Sequence, residues 1–278
     1  MKFAFSSNAF TRYGLIETIG IISNLGYEGI EIMADVPHAY PKNMTAKDIS
    51  DIRQALIENK LAVSNVNAFM HHADGDTYHP SWIEADPGLR SKRVSYTLDC
   101  LDLAHELGAR CISTEPGGPL EGLSRDRGLE MFREGLMAVE HRAKEKGVRV
   151  LIEPEPGLLI ENSAQFLELF AELDPEVFGL NFDIGHFFCV GENVSDLIRQ
   201  MRPFIHHFHL EDIAATREHK HLMLGDGAID IEEVLATIDE IGYSGFVTVE
   251  LYTYEDAAVD AAASAMEYLE QRTSRSDH

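Results

Sequence analysis

Four short apolar runs in this chain each lead into a side chain able to bind a cation. VRVLI leads into Glu153, GLNF into Asp183, IHHF into His209 and FVTV into Glu250. Glu31 in IEI and Glu115 after CIST are further carboxylates of the same kind. A lone acid at the end of a strand is ordinarily just its first solvated position. Four in four consecutive runs form a pattern. If the run ends converge, three carboxylates and one imidazole share a partly desolvated space, where like charges are costly. A divalent cation removes that cost, and the donor set suits Mn2+, Mg2+, Zn2+ or Co2+.

More chemistry-bearing residues stand nearby in sequence. Asp183 opens DIGH, which places His186 three residues on. The stretch 217–227, REHKHLMLGDG, carries Arg217, His219 and His221, and GDGAID follows with Asp230 expected as a helix N-cap. In EPEPG, Glu155 is a second candidate base on a segment stiffened by Pro154 and Pro156. Phe10, Tyr13, Phe69, Trp82, Phe187 and Tyr252 fall near loops. Each reads first as ordinary packing and second as a pocket wall. Segment 71–90 is long for a connection, so a lid or binding element is expected there.

Positioning these residues requires a repeated element. Short β-branched or aromatic runs alternate with longer segments of helical period. Strands are predicted at 2–6, 28–33, 61–67, 110–115, 148–153, 178–183, 204–210 and 245–250. Gly26, Gly108, Gly147 and Gly242 each follow a helical stretch and precede a strand, as a helix C-cap does in βα units. Eight such units predict a single (β/α)8 barrel over 1–272, with a polar tail over 273–278. The rival, an open doubly wound sheet, lacks its phosphate-binding glycine fingerprint here. In a barrel, chemistry sits where strands end, and that is where the four ligand types fall.

The 278 residues are 45% hydrophobic, enough for one large core. Net charge is −24, from 47 acidic and 23 basic residues. That field repels phosphate backbones and argues against nucleic acid as a partner. It fits a small molecule or a cation. No apolar run is long enough for a membrane helix. The start, MKFAFSSNAF, alternates like a strand and has no signal-peptide core. Cys100, Cys111 and Cys189 form no disulfide framework and read as small core residues. A cytoplasmic protein, open to homo-oligomer formation, is expected.

The segments LGYEGIEI (25–32), LIEPEPG (151–157), LNFDIGH (180–186), HFHLED (207–212), LGDGAIDIEEVL (224–235) and TVEL (248–251) together resemble the xylose isomerase-like TIM-barrel superfamily over nearly the whole chain. They are most similar to its sugar isomerases and epimerases: ketose 3-epimerases, hydroxypyruvate isomerase and inositol-catabolism enzymes. The resemblance implies a metal held by Glu153, Asp183, His209 and Glu250. It implies that Glu153 and Glu250 also form the acid/base pair, and that His186 and Arg217 contact substrate oxygens. Arg217 stands further beyond His209 than in the epimerase pattern. A more distant likeness, to endonuclease IV, implies a second metal at His186, His219 and His221, with His219 where that family has Asp, and another ligand at His71 or His72. The reaction expected is metal-assisted proton transfer next to a carbonyl, through an enediolate, as a sugar isomerase or epimerase. The alternatives are an inosose dehydratase-like lyase, an endonuclease IV-like metal hydrolase, and a barrel that binds metal or sugar without catalysis. No basic pocket is evident, which favours an unphosphorylated sugar, polyol or hydroxycarbonyl.

Overall fold

A computed structural model describes residues 1–273 of the chain. The eight predicted strands are all present, with each end within one residue of its expected place. They are β1 (Lys2–Ser6), β2 (Gly29–Met33), β3 (Ala62–Asn67), β4 (Cys111–Thr114), β5 (Arg149–Ile152), β6 (Phe178–Asp183), β7 (Ile205–Leu210) and β8 (Phe246–Val249). All neighbours pair in parallel, and β8 pairs with β1, closing the barrel in sequence order. The chain is thus a (β/α)8 barrel.

Nine α-helices are described around it: α1 (Leu15–Asn24), α2 (Ala46–Glu58), α3 (Pro87–Leu107), α4 (Arg125–Lys146), α5 (Ser163–Phe170), α6 (Ile184–Cys189), α7 (Val194–Met201), α8 (Ile231–Glu240) and α9 (Ala258–Thr273). The caps follow the sequence. The Asp230 side chain accepts from the Glu233 amide, as expected of an N-cap. Gly108 and Gly147 end α3 and α4 at φ +77° and +65°, a left-handed conformation that a side chain disfavours. The tail expected over 273–278 lies outside the described residues, except Thr273 at the end of α9.

Alternation along the strands separates two interiors. Phe5, Ile30, Ile32, Ile112, Phe182 and Val249 belong to the apolar layer between barrel and helices. Ser6, Glu31, Asn65, Asn181, His207 and Thr248 are buried polar residues on the same strands. They hydrogen-bond among themselves: Ser6 Oγ donates to Glu31 at 2.8 Å, Asn65 to Glu31 at 2.8 Å and to Ser113 at 2.9 Å. Barrels of this type are usually filled with branched aliphatics. Here a polar lumen supports the strand ends. Cys100, Cys111 and Cys189 are free thiols. No described helix is long and apolar enough to cross a membrane.

Candidate metal centre

Glu153 and Glu250 immediately follow β5 and β8, while Asp183 and His209 lie in β6 and β7 and pair in register. Parallel closure brings all four to one end of the barrel. One ligand atom from each lies within 4.8 Å of all the others, and all four residues are buried. His209 Nδ1 lies 2.8 Å from Glu153 Oε1, 3.4 Å from Glu250 Oε2 and 3.7 Å from Asp183 Oδ2. Its other nitrogen, Nε2, meets Glu31 Oε2 at 2.7 Å. Glu31 therefore fixes the ring so that Nδ1 faces the three carboxylates, an outer carboxylate orienting a candidate ligand histidine.

The electrostatics are those of buried carboxylates crowded around one imidazole. Burial pushes Glu250 well above the ordinary carboxylate range, and nearby Glu153, Glu31 and Asp183 push the same way against His209. Burial likewise raises Glu153. Burial opposes charge on His209, but Glu153, Glu250 and Glu31 outweigh it and raise its pKa. Glu153 Oε2 and Asp183 Oδ2 are buried without a hydrogen-bond partner. Unpaired buried acceptors in a set of three carboxylates and one imidazole fit a divalent ion well.

A second group adjoins the first. His186 Nδ1 donates to Pro154 O at 2.9 Å, and His221 Nδ1 donates to Glu250 O at 2.9 Å. A carbonyl can only accept, so both rings carry the proton on Nδ1 and present Nε2 as a free acceptor. One ring nitrogen from each of His186, His219 and His221 falls within 4.8 Å of the others. Burial depresses all three, His186 to about 3 and His221 to about 4, which keeps them neutral and able to ligate. A cavity of about 520 Å³ adjoins these groups, lined by Glu153, Glu155, His186, His219 and Glu250 and by the apolar Met33, Val36, Pro37, Phe69 and Met70.

The family model for the xylose isomerase-like TIM barrel matches residues 19–272. The chain belongs to that family. An inosose dehydratase of Lacticaseibacillus casei is 28% identical over 254 residues, covering 81% of this chain and 78% of that one. Among solved structures, a D-tagatose 3-epimerase-like protein superposes with TM-score 0.80 at 23% identity, covering 99% of both chains. IolI protein with a bound zinc atom superposes with TM-score 0.81 at 19% identity, also over 99% of both.

Within this xylose isomerase-like barrel, not every expected residue reaches the mouth. Arg217 does not line the cavity. Its guanidinium donates to Phe188 O and stacks on the Phe188 ring at 4.3 Å. Of the two histidines after β3, His72 lines the cavity, while His71 is buried against Tyr96 at 4.2 Å and joins neither group. Phe69 and Tyr252 line the cavity; Phe10, Trp82 and Phe187 are core residues. Glu115 faces Arg93 at 3.5 Å, outside the site, and burial raises it to about 8 against the pull of Arg93.

Other residues of the site had weak sequence signals. Asn8 and Asn67 donate to Glu250 Oε1 at 2.8 and 3.3 Å. Asn181 Nδ2 lies 3.3 Å from His209 Nδ1. Asn65 and Asn67, two apart in VSNVN, were the available clue, because same-face asparagines within an apolar strand must find buried partners.

Proposed function

We propose that the chain is a divalent-metal-dependent enzyme that moves a proton at the carbon next to a ketone carbonyl, acting as an epimerase or isomerase on a neutral sugar or polyol derivative. The carrying observation is the pair Glu153 and Glu250, buried with Asp183 around one face of His209 beneath a cavity of about 520 Å³. No lysine or arginine lines that cavity among the described residues, so nothing there would balance a phosphate. Glu153, Asp183, His209 and Glu250 would hold the ion, which when bound polarises a carbonyl and acidifies the adjacent C–H.

The residues themselves supply the rest. Asn8 and Asn67 clamp Oε1 of Glu250 and leave Oε2 toward the shared space. One glutamate takes the proton and the other returns it, to the opposite face or to the neighbouring carbon. Tyr78 and Phe69, from the segment after β3, help wall the cavity and exclude water from the enediolate.

Dehydration is the second reading. Glu155 is a third carboxyl in the cavity, hydrogen-bonded to Tyr78 Oη at 2.8 Å and raised by burial to about 8, so it is protonated near neutral pH. A neutral acid beside the proton-transfer pair suits departure of a β-hydroxyl as water, and the inosose dehydratase relative performs a reaction of that type.

The test is metal content per chain followed by turnover of ketoses and inososes in D2O. Deuterium at the carbon next to the carbonyl without loss of water supports epimerisation; loss of water with new carbonyl absorbance selects dehydration. Glu250→Gln is expected to lower kcat by about 10²–10⁴. A metal-free protein after reloading, or full activity in that variant, would sink both readings.

A further inference from the structure

At the end of the barrel opposite the mouth, where the strands begin, the surface charge reverses sign. Two adjoining depressions of about 980 and 850 Å³ share Arg110, Cys111, His206, Ser244 and Gly245. Their walls carry seven lysines and arginines against two carboxylates, Glu106 and Glu176. The chain as a whole has 23 such cations against 47 acids, so the basin inverts the overall ratio.

Ordinary structural roles account for only some of these charges. Lys144 pairs with Glu140 and Asp174, and Arg53 approaches Glu106 at 3.9 Å. Helices end at this face, and their carbonyl ends favour nearby cations by partial charge. That explains Lys60 and Arg202, which closely follow α2 and α7, in part. It does not explain Lys2, Arg110 and Arg149, which stand at or beside the starts of β1, β4 and β5. Lys60, Arg110 and Arg202 are exposed, and their side chains have no hydrogen bond or ion pair among the described residues. The Arg149 guanidinium donates to the Pro175 carbonyl and its charge also reaches Asp174, while Lys2 lies over the Phe246 ring. Concentrating unneutralised like charges around a concavity is unfavourable unless an anion sits there.

We propose that this basin binds a small molecule carrying two or more phosphate groups, at a site separate from the mouth. Its size suits a metabolite. A nucleic acid is disfavoured by the chain's net charge of −24, which repels a long phosphate backbone. The basin and the mouth cavity share no lining residue, so the ligand is not the substrate of the proposed reaction.

Calorimetric titration of pyrophosphate into the metal-loaded protein at low salt tests this. Wild type is expected to bind saturably, with a Kd of about 1 mM or below. Two independent exposed pairs, Arg110→Gln with Lys60→Gln and Arg202→Gln with Lys2→Gln, are each expected to weaken binding about tenfold. Lys42→Gln with Lys47→Gln, which changes net charge equally but lies elsewhere, should leave it within about twofold. Asp183→Ala should also leave it unchanged. Unaltered melting curves would show that the pairs fold. Heat that never saturates, equal weakening by the distant pair, or loss only in Asp183→Ala would overturn the proposal; the last would place the anion at the mouth.

Discussion

His209 meets a carboxylate at each ring nitrogen, and the two contacts have different consequences. Glu153 at Nδ1 belongs to the candidate ligand set, whereas Glu31 at Nε2 holds the ring. Burial raises Glu31, but His209 and His207 outweigh it and keep Glu31 ionised well below the ordinary range. Asn65, Asn67 and Ser6 also donate to Glu31, so its orientation is fixed from below. Glu31→Gln preserves volume but places an amide where an acceptor is needed. The variant is expected to fold and to bind its metal about 10–100-fold more weakly. Competition against a chelating dye measures this, and unchanged affinity would remove Glu31 from the role. The sequence flagged Glu31 as a carboxylate; its use of Nε2 rather than the shared space became visible only with the ring in place.

Two connections, rather than the strands, decide what surrounds the site. The first follows β3, and its length alone marked it as special. Its anchors were not legible. Asp35 accepts from the amides of His72 and Ala73 at 2.5 and 3.0 Å, Tyr40 donates to Asp74 at 2.8 Å, and buried Arg93 donates to the carbonyls of Phe69 and Pro80. The second follows β7 and presents His219 and His221. Asp212 organises it by accepting four amides, from Ile213, Gly225, Gly227 and Ile229, at 2.8–3.1 Å. A Cβ on Gly227 would collide with the Asp212 carboxylate and the Ile213 carbonyl. Gly227→Ala is expected to cost about 1–3 kcal/mol. Gly20→Ala, inside α1 with open space around the added carbon, is expected to stabilise by roughly 0.5–1 kcal/mol. Urea midpoints of both variants check the contrast, and equal midpoints would contradict it.

Across the whole molecule, charge is distributed by end. Carboxylates and neutral histidines gather where the strands finish, and free cations gather where they begin. Stability against pH is also a property of the whole fold, and His71 gives it a defined slope. His71 is buried against Tyr96 and pushed down to about 4 by burial, with Arg93 adding and Asp74 opposing. Its folded pKa is below the unfolded value of 6.5, so its contribution is complete above about 6.5 and is lost as pH falls toward 4. Between pH 7 and 5 this loss is about 2 kcal/mol. His71→Gln should flatten the stability curve over that interval by about that amount, whatever its offset. Parallel curves for the variant and wild type would exclude the assignment.

The amino-acid sequence by itself determined the periodicity, and through it the barrel. Strand runs of period two, helices of period 3.6 and C-capping glycines are local features, because backbone sterics and side-chain direction act over a few residues. It also determined which residue types stand at the strand ends, and a closed parallel barrel has one geometry for such ends, so Glu153, Asp183, His209 and Glu250 were legible as a set. Tertiary structure alone decided the tautomers, the partners and the directions. That Nδ1 of His209 faces the carboxylates, that Arg217 turns to Phe188, and that Lys2, Lys60 and Arg110 share one basin depend on residues tens to hundreds of positions apart. Hydrogen bonds and charge interactions are set by distance in space, and sequence spacing fixes that distance only within a single element.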